Sequence, residues 1–297
     1  MQILQCVPNF SEGRDPSFLE ELRLVLGKYP VKVLDLSMDK DHNRADCTFL
    51  GAPEAVEECA MAVSSRAVEL IDMRQHHGSH PRMGAVDVIP FVPIRGLTME
   101  ETVEIARRFG TAFADKHRIP VFFYEEACTS EGRRNLVDVR RGEYEGMAAK
   151  LQDPAWKVDA GPQALNERSG VTAVGARMPL IAFNVNLRTD DLEVAKRIAN
   201  AVRHIGGGLR YVKAMGLSLE DQGIVQVSMN LVNYQQTPIH RAVELIRAEA
   251  ARYGVLVKEC ELVGMVPIEA LEEVVSYYLQ IPGFNARQII EYHLLPE

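Results

Sequence analysis

The chain has 297 residues, 47% apolar and 25% charged, with a formal net charge of −8. These are the fractions of a globular protein long enough for one large core or two modest ones. The acidic balance excludes a general electrostatic pull toward nucleic acid or anionic membranes, and no run is long and apolar enough to span a bilayer.

In chain order, residues 3–11 predict a first strand that ends on the turn signal Asn9-Phe10-Ser11-Glu12-Gly13. The start, Met1 to Pro8, lacks the basic residues and long apolar stretch of a signal peptide. Phe18, Leu19, Leu22, Val25 and Leu26 share one side of a helix over 16–28. Strands follow at 31–37 and 46–50, joined by the polar loop Asp39-Lys40-Asp41-His42-Asn43-Arg44, which reads as a solvated hairpin tip. A helix starts at Pro53 and runs to about Ile71, and the apolar run Val86–Pro93 closes this unit as a buried strand. Thr98 and Glu101 then form a capping-box start for a helix to about Lys116, followed by a strand at 121–124. Residues 128–177 carry weaker signals: a helix over 143–151, then the Gly- and polar-rich stretch 159–170, a candidate domain junction or long functional loop.

From Leu180 the first order of elements returns. It comprises a strand at 181–187, a helix at 190–204 ended by Gly206-Gly207-Gly208, strands at 209–217 and 224–232, a helix at 238–252, a strand at 255–266 and a helix at 268–279. The expectation is an α/β (α+β) chain of two ferredoxin-like split β-α-β subdomains, residues 1–178 and 179–297, each an antiparallel sheet backed by helices. A single larger α/β sheet is the alternative.

The chemistry concentrates in His76-His77-Gly78-Ser79-His80-Pro81-Arg82-Met83-Gly84-Ala85-Val86-Asp87. Gly78 and Pro81 exclude a regular helix, so three imidazoles, a guanidinium and a carboxylate project from a loop that feeds a core strand. His76 and His80 have a spacing that could bind a divalent cation on a helix, but the helix is broken and no Cys or paired carboxylate completes a shell, although Asp87 could. No metal is expected. For acid–base work, a histidine beside Arg82 favours its neutral form, and Asp87 could orient one ring nitrogen. A neutral imidazole that takes a proton and returns it suits group transfer between two nitrogens. Three surface histidines beside a Pro-Arg turn is the plainer alternative.

Other candidates are weaker. Asn43 and Arg44 could bind an anion if their hairpin tip overlies the site. His117 and His204 fall at helix C-terminal ends, and the triple glycine follows a helix, the reverse of a nucleotide loop. Cys128 reads as a structural or exposed thiol. The five cysteines show neither a disulfide framework nor a zinc spacing, and a reducing cytoplasm is the expected compartment.

The opening Cys6-Val7-Pro8-Asn9-Phe10-Ser11-Glu12-Gly13-Arg14, the Asn43-Arg44 pair, His76 through Asp87, Val174-Gly175-Ala176-Arg177 and Ala182-Phe183-Asn184-Val185-Asn186-Leu187 together resemble the glutamate formimidoyltransferase family. In animals this family is the transferase half of a bifunctional formimidoyltransferase–cyclodeaminase. The resemblance implies two ferredoxin-like halves and a homodimer. It also implies transfer of a formimidoyl group from formiminoglutamate to N5 of tetrahydrofolate, a co-substrate, without a metal. The family's catalytic histidine falls on His80. Its folate loop falls on Gly161, Pro162, Gln163, Ala164, Leu165, Asn166, Glu167, Arg168, Ser169 and Gly170. Asn166-Glu167-Arg168 differ from the animal form, and Ser79 stands where that form has Glu. Both substrates carry carboxylates, for which Arg44, Arg82 and Arg177 are the candidate cations, with Asn9, Asn43 and Asp87 also at the site. Rival readings are formiminoglycine or 5-formyltetrahydrofolate as donor, a folate-binding protein without turnover, and a metal-dependent hydrolase.

Overall fold

A computed structural model describes residues 1–294; the last three residues of the expected second subdomain lie outside it. The chain divides into two compact units, Met1–Arg177 and Met178–Glu297.

The first unit opens with β1 (Ile3–Cys6) and β2 (Asn9–Phe10), followed by α1 (Pro16–Leu26), β3 (Lys32–Asp39), β4 (Arg44–Gly51), α2 (Pro53–Leu70) and β5 (Val86–Arg95). The first strand expected over residues 3–11 is broken in two at Val7-Pro8, where proline has no N–H to give the ladder. Both pieces pair with β4 on one side and β5 on the other, all antiparallel. With β3 on the outer side of β4, the spatial order is that of a split β-α-β unit.

The remainder of the unit extends this frame. It comprises α3 (Met99–His117), β6 (Val121–Glu125), α4 (Leu136–Arg140), α5 (Glu143–Lys150) and β7 (Thr172–Ala176). The capping box at Thr98 and Glu101 is closed in both directions, with bonds of 2.7 and 3.1 Å. β7 lies between β5 and β6 and is parallel to both, so this sheet is mixed rather than wholly antiparallel. The reason is the connection: α3 crosses over from β5 to β6, so these two strands run in the same direction with β7 between them.

The extension also makes β5 a strand buried on both faces. Ile89 and Phe91 pack with Phe10, Phe49 and Phe113 in the main core. Val88 points the other way, into a second cluster with Phe122, Val139, Met147 and Leu151. That cluster is roofed by α4 and α5, and the continuous apolar run of β5 follows from it.

The second unit contains β8 (Ile181–Leu187), α6 (Leu192–Val202), β9 (Val212–Leu219), β10 (Ile224–Leu231), α7 (Ile239–Ala251), β11 (Val257–Val263) and α8 (Ile268–Leu279). Its sheet has the order β11-β8-β10-β9, all antiparallel, again the ferredoxin-like arrangement. Val185, Val227 and Met229 face its core, whereas Asn184, Asn186 and Gln226 lie on the opposite side in an amide network with Glu259 and Glu261.

Candidate active site

Three adjacent strands of the first unit begin or break at one end of the sheet. Asn9 of β2 is in register with Asp46 of β4 and Val88 of β5, which places Asn9, Arg44 and Asp87 side by side. Asp87 is fully buried. Its Oδ2 accepts from Nη1 of Arg44 at 2.8 Å and from Nη2 of Arg140, and its Oδ1 accepts from the Met83 N–H at 3.0 Å. Burial pushes the Asp87 carboxyl up, but the Arg140 and Arg44 guanidiniums more than reverse this and hold it below its ordinary value. Arg44 spends its second arm on Oδ1 of Asn9, whose amide nitrogen donates to the Val7 carbonyl. Arg140 was not among the residues expected here. It lies 53 positions from its partner, in the stretch with the weakest sequence signals.

The loop from His76 to Ala85 carries two opposite histidine environments. His76 is buried, and its Nδ1 accepts from Nε of Arg82 at 3.2 Å while its Nε2 lies 2.9 Å from the Asn43 carbonyl. A nitrogen facing a guanidinium accepts and one facing a carbonyl donates, so this ring is a neutral Nε2–H tautomer with both nitrogens occupied. It has no lone pair to offer a cation, and the His76–His80 metal pair fails on that ground. Among the described residues no group of three or more His, Cys, Asp or Glu is placed to hold a metal ion.

His80 is half-buried, and its Nδ1 lies 2.7 Å from the carbonyl of Pro81. Nδ1 therefore carries the proton and Nε2 carries the lone pair. Burial of the ring, then the charges of Arg44 and Arg140, lower its pKa to about 4, with only partial compensation from the Pro81 carbonyl and Asp87. The expected orienting bond from Asp87 is not formed. The carboxylate is taken by two arginines and acts on the ring through its charge, while a backbone carbonyl sets the tautomer.

Arg82 is also corrected as a cation for substrate. It is buried, and its guanidinium is used by Glu143 at 3.0 Å, Glu145 at 2.5 and 2.8 Å, and the ring and carbonyl of His76. A side chain with this many internal partners fixes the loop to α5 and has little left for a ligand. Asn43 has a similar bracing role. It adopts a left-handed backbone conformation, accepts from the Gly13 N–H at 2.9 Å and donates to the His77 carbonyl at 2.9 Å.

The hairpin tip between β3 and β4 is thus packed on the histidine loop rather than free in solvent. Ser79 donates to the Asp41 carbonyl, and the His42 ring meets the His80 ring edge-on at 5.9 Å between centroids. The tip passes so close that a Cβ at Gly78 would lie 2.4 Å from the His42 carbonyl oxygen.

Residues 161–170 form a braced loop. The Gln163 amide bonds Leu151, Trp156 and Val158 main-chain groups, and Asn166 accepts from the Ser169 N–H. Leu165 packs partly into the second cluster, and Pro162 is partly covered. Gly161, Ala164, Glu167 and Arg168 remain outward, with Arg168 bonded to the Glu69 carbonyl. Ser169 and Gly170 are buried against Met83 and Gly84, beneath the histidine loop. Gly170 has φ +72°, and a Cβ there would fall 2.2 Å from the Met83 carbonyl oxygen. Arg177, at the end of β7, bonds the buried Tyr124 hydroxyl. The structure thus gathers Asn9, Asn43, Arg44, His80, Arg82, Asp87 and the end of the 161–170 loop, and adds Arg140, Glu143 and Glu145.

Residues 3–177 match the formiminotransferase domain, N-terminal subdomain, and residues 182–292 match the formiminotransferase domain. The chain is 46% identical to a glutamate formimidoyltransferase of Streptococcus pyogenes serotype M1, covering 99% of each chain. It is 45% identical to a glutamate formimidoyltransferase of Thermoplasma acidophilum, covering 98% of this chain and 97% of that one. A formimidoyltransferase-cyclodeaminase of Sus scrofa is 40% identical over 94% of this chain and 53% of its own length. The chain belongs to the formiminotransferase domain family.

Proposed function

We propose that this chain is a transferase that moves the formimidoyl group of N-formimidoyl-L-glutamate to N5 of tetrahydrofolate, a step of histidine breakdown and one-carbon metabolism, with His80 as the proton carrier. The observation that carries this reading is the fixed tautomer of His80: Nδ1–H on the Pro81 carbonyl, Nε2 unprotonated, with burial of the ring and then two nearby guanidiniums keeping it so. N5 attacks the amidine carbon to give a tetrahedral intermediate, and Nε2 takes the N5 proton. The same proton returns to the glutamate amino nitrogen as the C–N bond breaks. A carboxylate arriving near Arg44 and Arg140 offsets their charge and raises the imidazole's basicity when substrate is present. The braced 161–170 loop suits contact with folate through its outward main chain, and holding two reactants together supplies much of the rate. We propose a homodimer, which sedimentation of the purified protein checks, in the cytoplasm, which fractionation of cells checks.

The test mixes purified protein with tetrahydrofolate and formiminoglutamate and follows the absorbance of the folate product, with formiminoglycine as donor in parallel and 5-formyltetrahydrofolate in parallel with L-glutamate as the acceptor. Product from formiminoglutamate at the highest kcat/KM is expected. A higher value for either other compound replaces the donor, and binding of folate with no product from any donor overturns the enzyme reading.

A further inference from the structure

Arg140 reaches Asp87 from α4, a helix of only five residues. So short a helix has no stability of its own, and its last carbonyls have no partners within it. Here they are met from outside. The ammonium of Lys150, the last residue of α5, donates to the carbonyls of Asp138 at 2.7 Å, Val139 at 2.6 Å and Arg141 at 3.1 Å. An ammonium has three donors, and these three carbonyls use them all. The same Nζ lies 3.7 Å from the centroid of the Trp156 ring, which covers it. The other end of α5 is tied to the histidine loop through Glu143 and Glu145 on Arg82 and the Tyr144 N–H on the Arg82 carbonyl. A single helix therefore spans from the loop that carries His80 to the turn that carries Arg140.

We propose that Lys150 is a positioning residue: its ammonium locks the C-terminal turn of α4, aims Arg140 at Asp87, and so sets the positive charge felt by His80. The proposal rests on the reading of this cluster as the active site, but its test does not need turnover. The full chain, labelled at histidine, is titrated by NMR as wild type, Lys150→Met, Lys150→Arg and Arg140→Gln. Arg140→Gln removes the charge outright and sets the largest upward shift of the His80 titration from about 4. Lys150→Met is expected to shift it in the same direction, with at least about a threefold gain in proton affinity, or half a pKa unit. Lys150→Arg is expected to stay near wild type, and the double variant Lys150→Met/Arg140→Gln to shift no further than Arg140→Gln alone. A Lys150→Met protein with lowered Tm but an unmoved His80 titration overturns the proposal, as does a double variant in which the two shifts add. If Lys150→Met does not fold, Lys150→Gln is read in the same way. An unchanged turnover of His80→Ala would defeat the catalytic role of His80 and leave this result standing, so the two failures are told apart.

Discussion

His76 and His80 stand four residues apart in one loop, yet one is buried with both ring nitrogens bonded, and the other is half-buried with one nitrogen tied to its neighbour's carbonyl. The arginines beside them divide in the same way. Arg82 is consumed by two glutamates and His76, whereas Arg44 and Arg140 share a single buried carboxylate. One end of the loop is thereby a brace, and the other holds a neutral imidazole beside two guanidiniums, the ring to which the proposed chemistry is assigned. Residue type was identical at the two ends, and partners decided the role.

The most direct way to break this comparison is to remove each ring in turn. His80→Ala is expected to lower kcat by about 10²–10⁴-fold with little change in folate affinity, measured by steady-state kinetics and equilibrium binding. His76→Ala leaves the Arg82 Nε–H and the Asn43 carbonyl unpaired, so its main effect is a stability loss of about 2–3 kcal/mol in denaturant unfolding. Equal losses of turnover without a stability difference would erase the distinction. Asp87→Asn strips the buried Arg44 and the partly buried Arg140 of their shared charge and is expected to cost about 3–5 kcal/mol by the same unfolding measurement.

The pH response sharpens the contrast. His80 titrates near 4 when folded against an ordinary value of 6.5. Between those values the unfolded chain binds the extra proton, so the His80 contribution to stability is full above pH 6.5 and declines as pH falls toward 4. For the free enzyme, the acid limb of kcat/KM is expected near pH 4; a limb at 6.5 would mean that neither burial nor the charges of Arg44 and Arg140 act on the ring. In the 161–170 loop, Gly170→Ala forces a Cβ into the Met83 carbonyl at positive φ and is expected to cost at least about 1–3 kcal/mol. Arg168→Ala, which loses one exposed bond to a carbonyl, should stay within about 0.5 kcal/mol. Thermal unfolding of the two variants orders them.

Local signals were legible where the physics is local. The Thr98–Glu101 capping box, Pro53 at the first turn of α2 and the recurring strand-helix-strand order each depend on residues a few positions apart, and the structure contains all of them. The 128–177 stretch was not legible to the same degree. α4 is too short to show an amphipathic period, and β7 gains its place only by sliding between β5 and β6. The hairpin tip at His42 read as solvated because its polarity is that of a surface. Its contact with the histidine loop comes from a segment more than thirty positions away.

By itself the sequence determined two split β-α-β frames and a histidine loop entering a core strand, because hydrophobic periodicity and turn residues act over a few positions. Tertiary structure alone decided which imidazole has its lone pair taken by an arginine, which arginine is spent as a brace, and that Arg140 joins Asp87. Those outcomes depend on hydrogen-bond partners brought together from distant segments, and a buried polar group takes its state from the partner it meets.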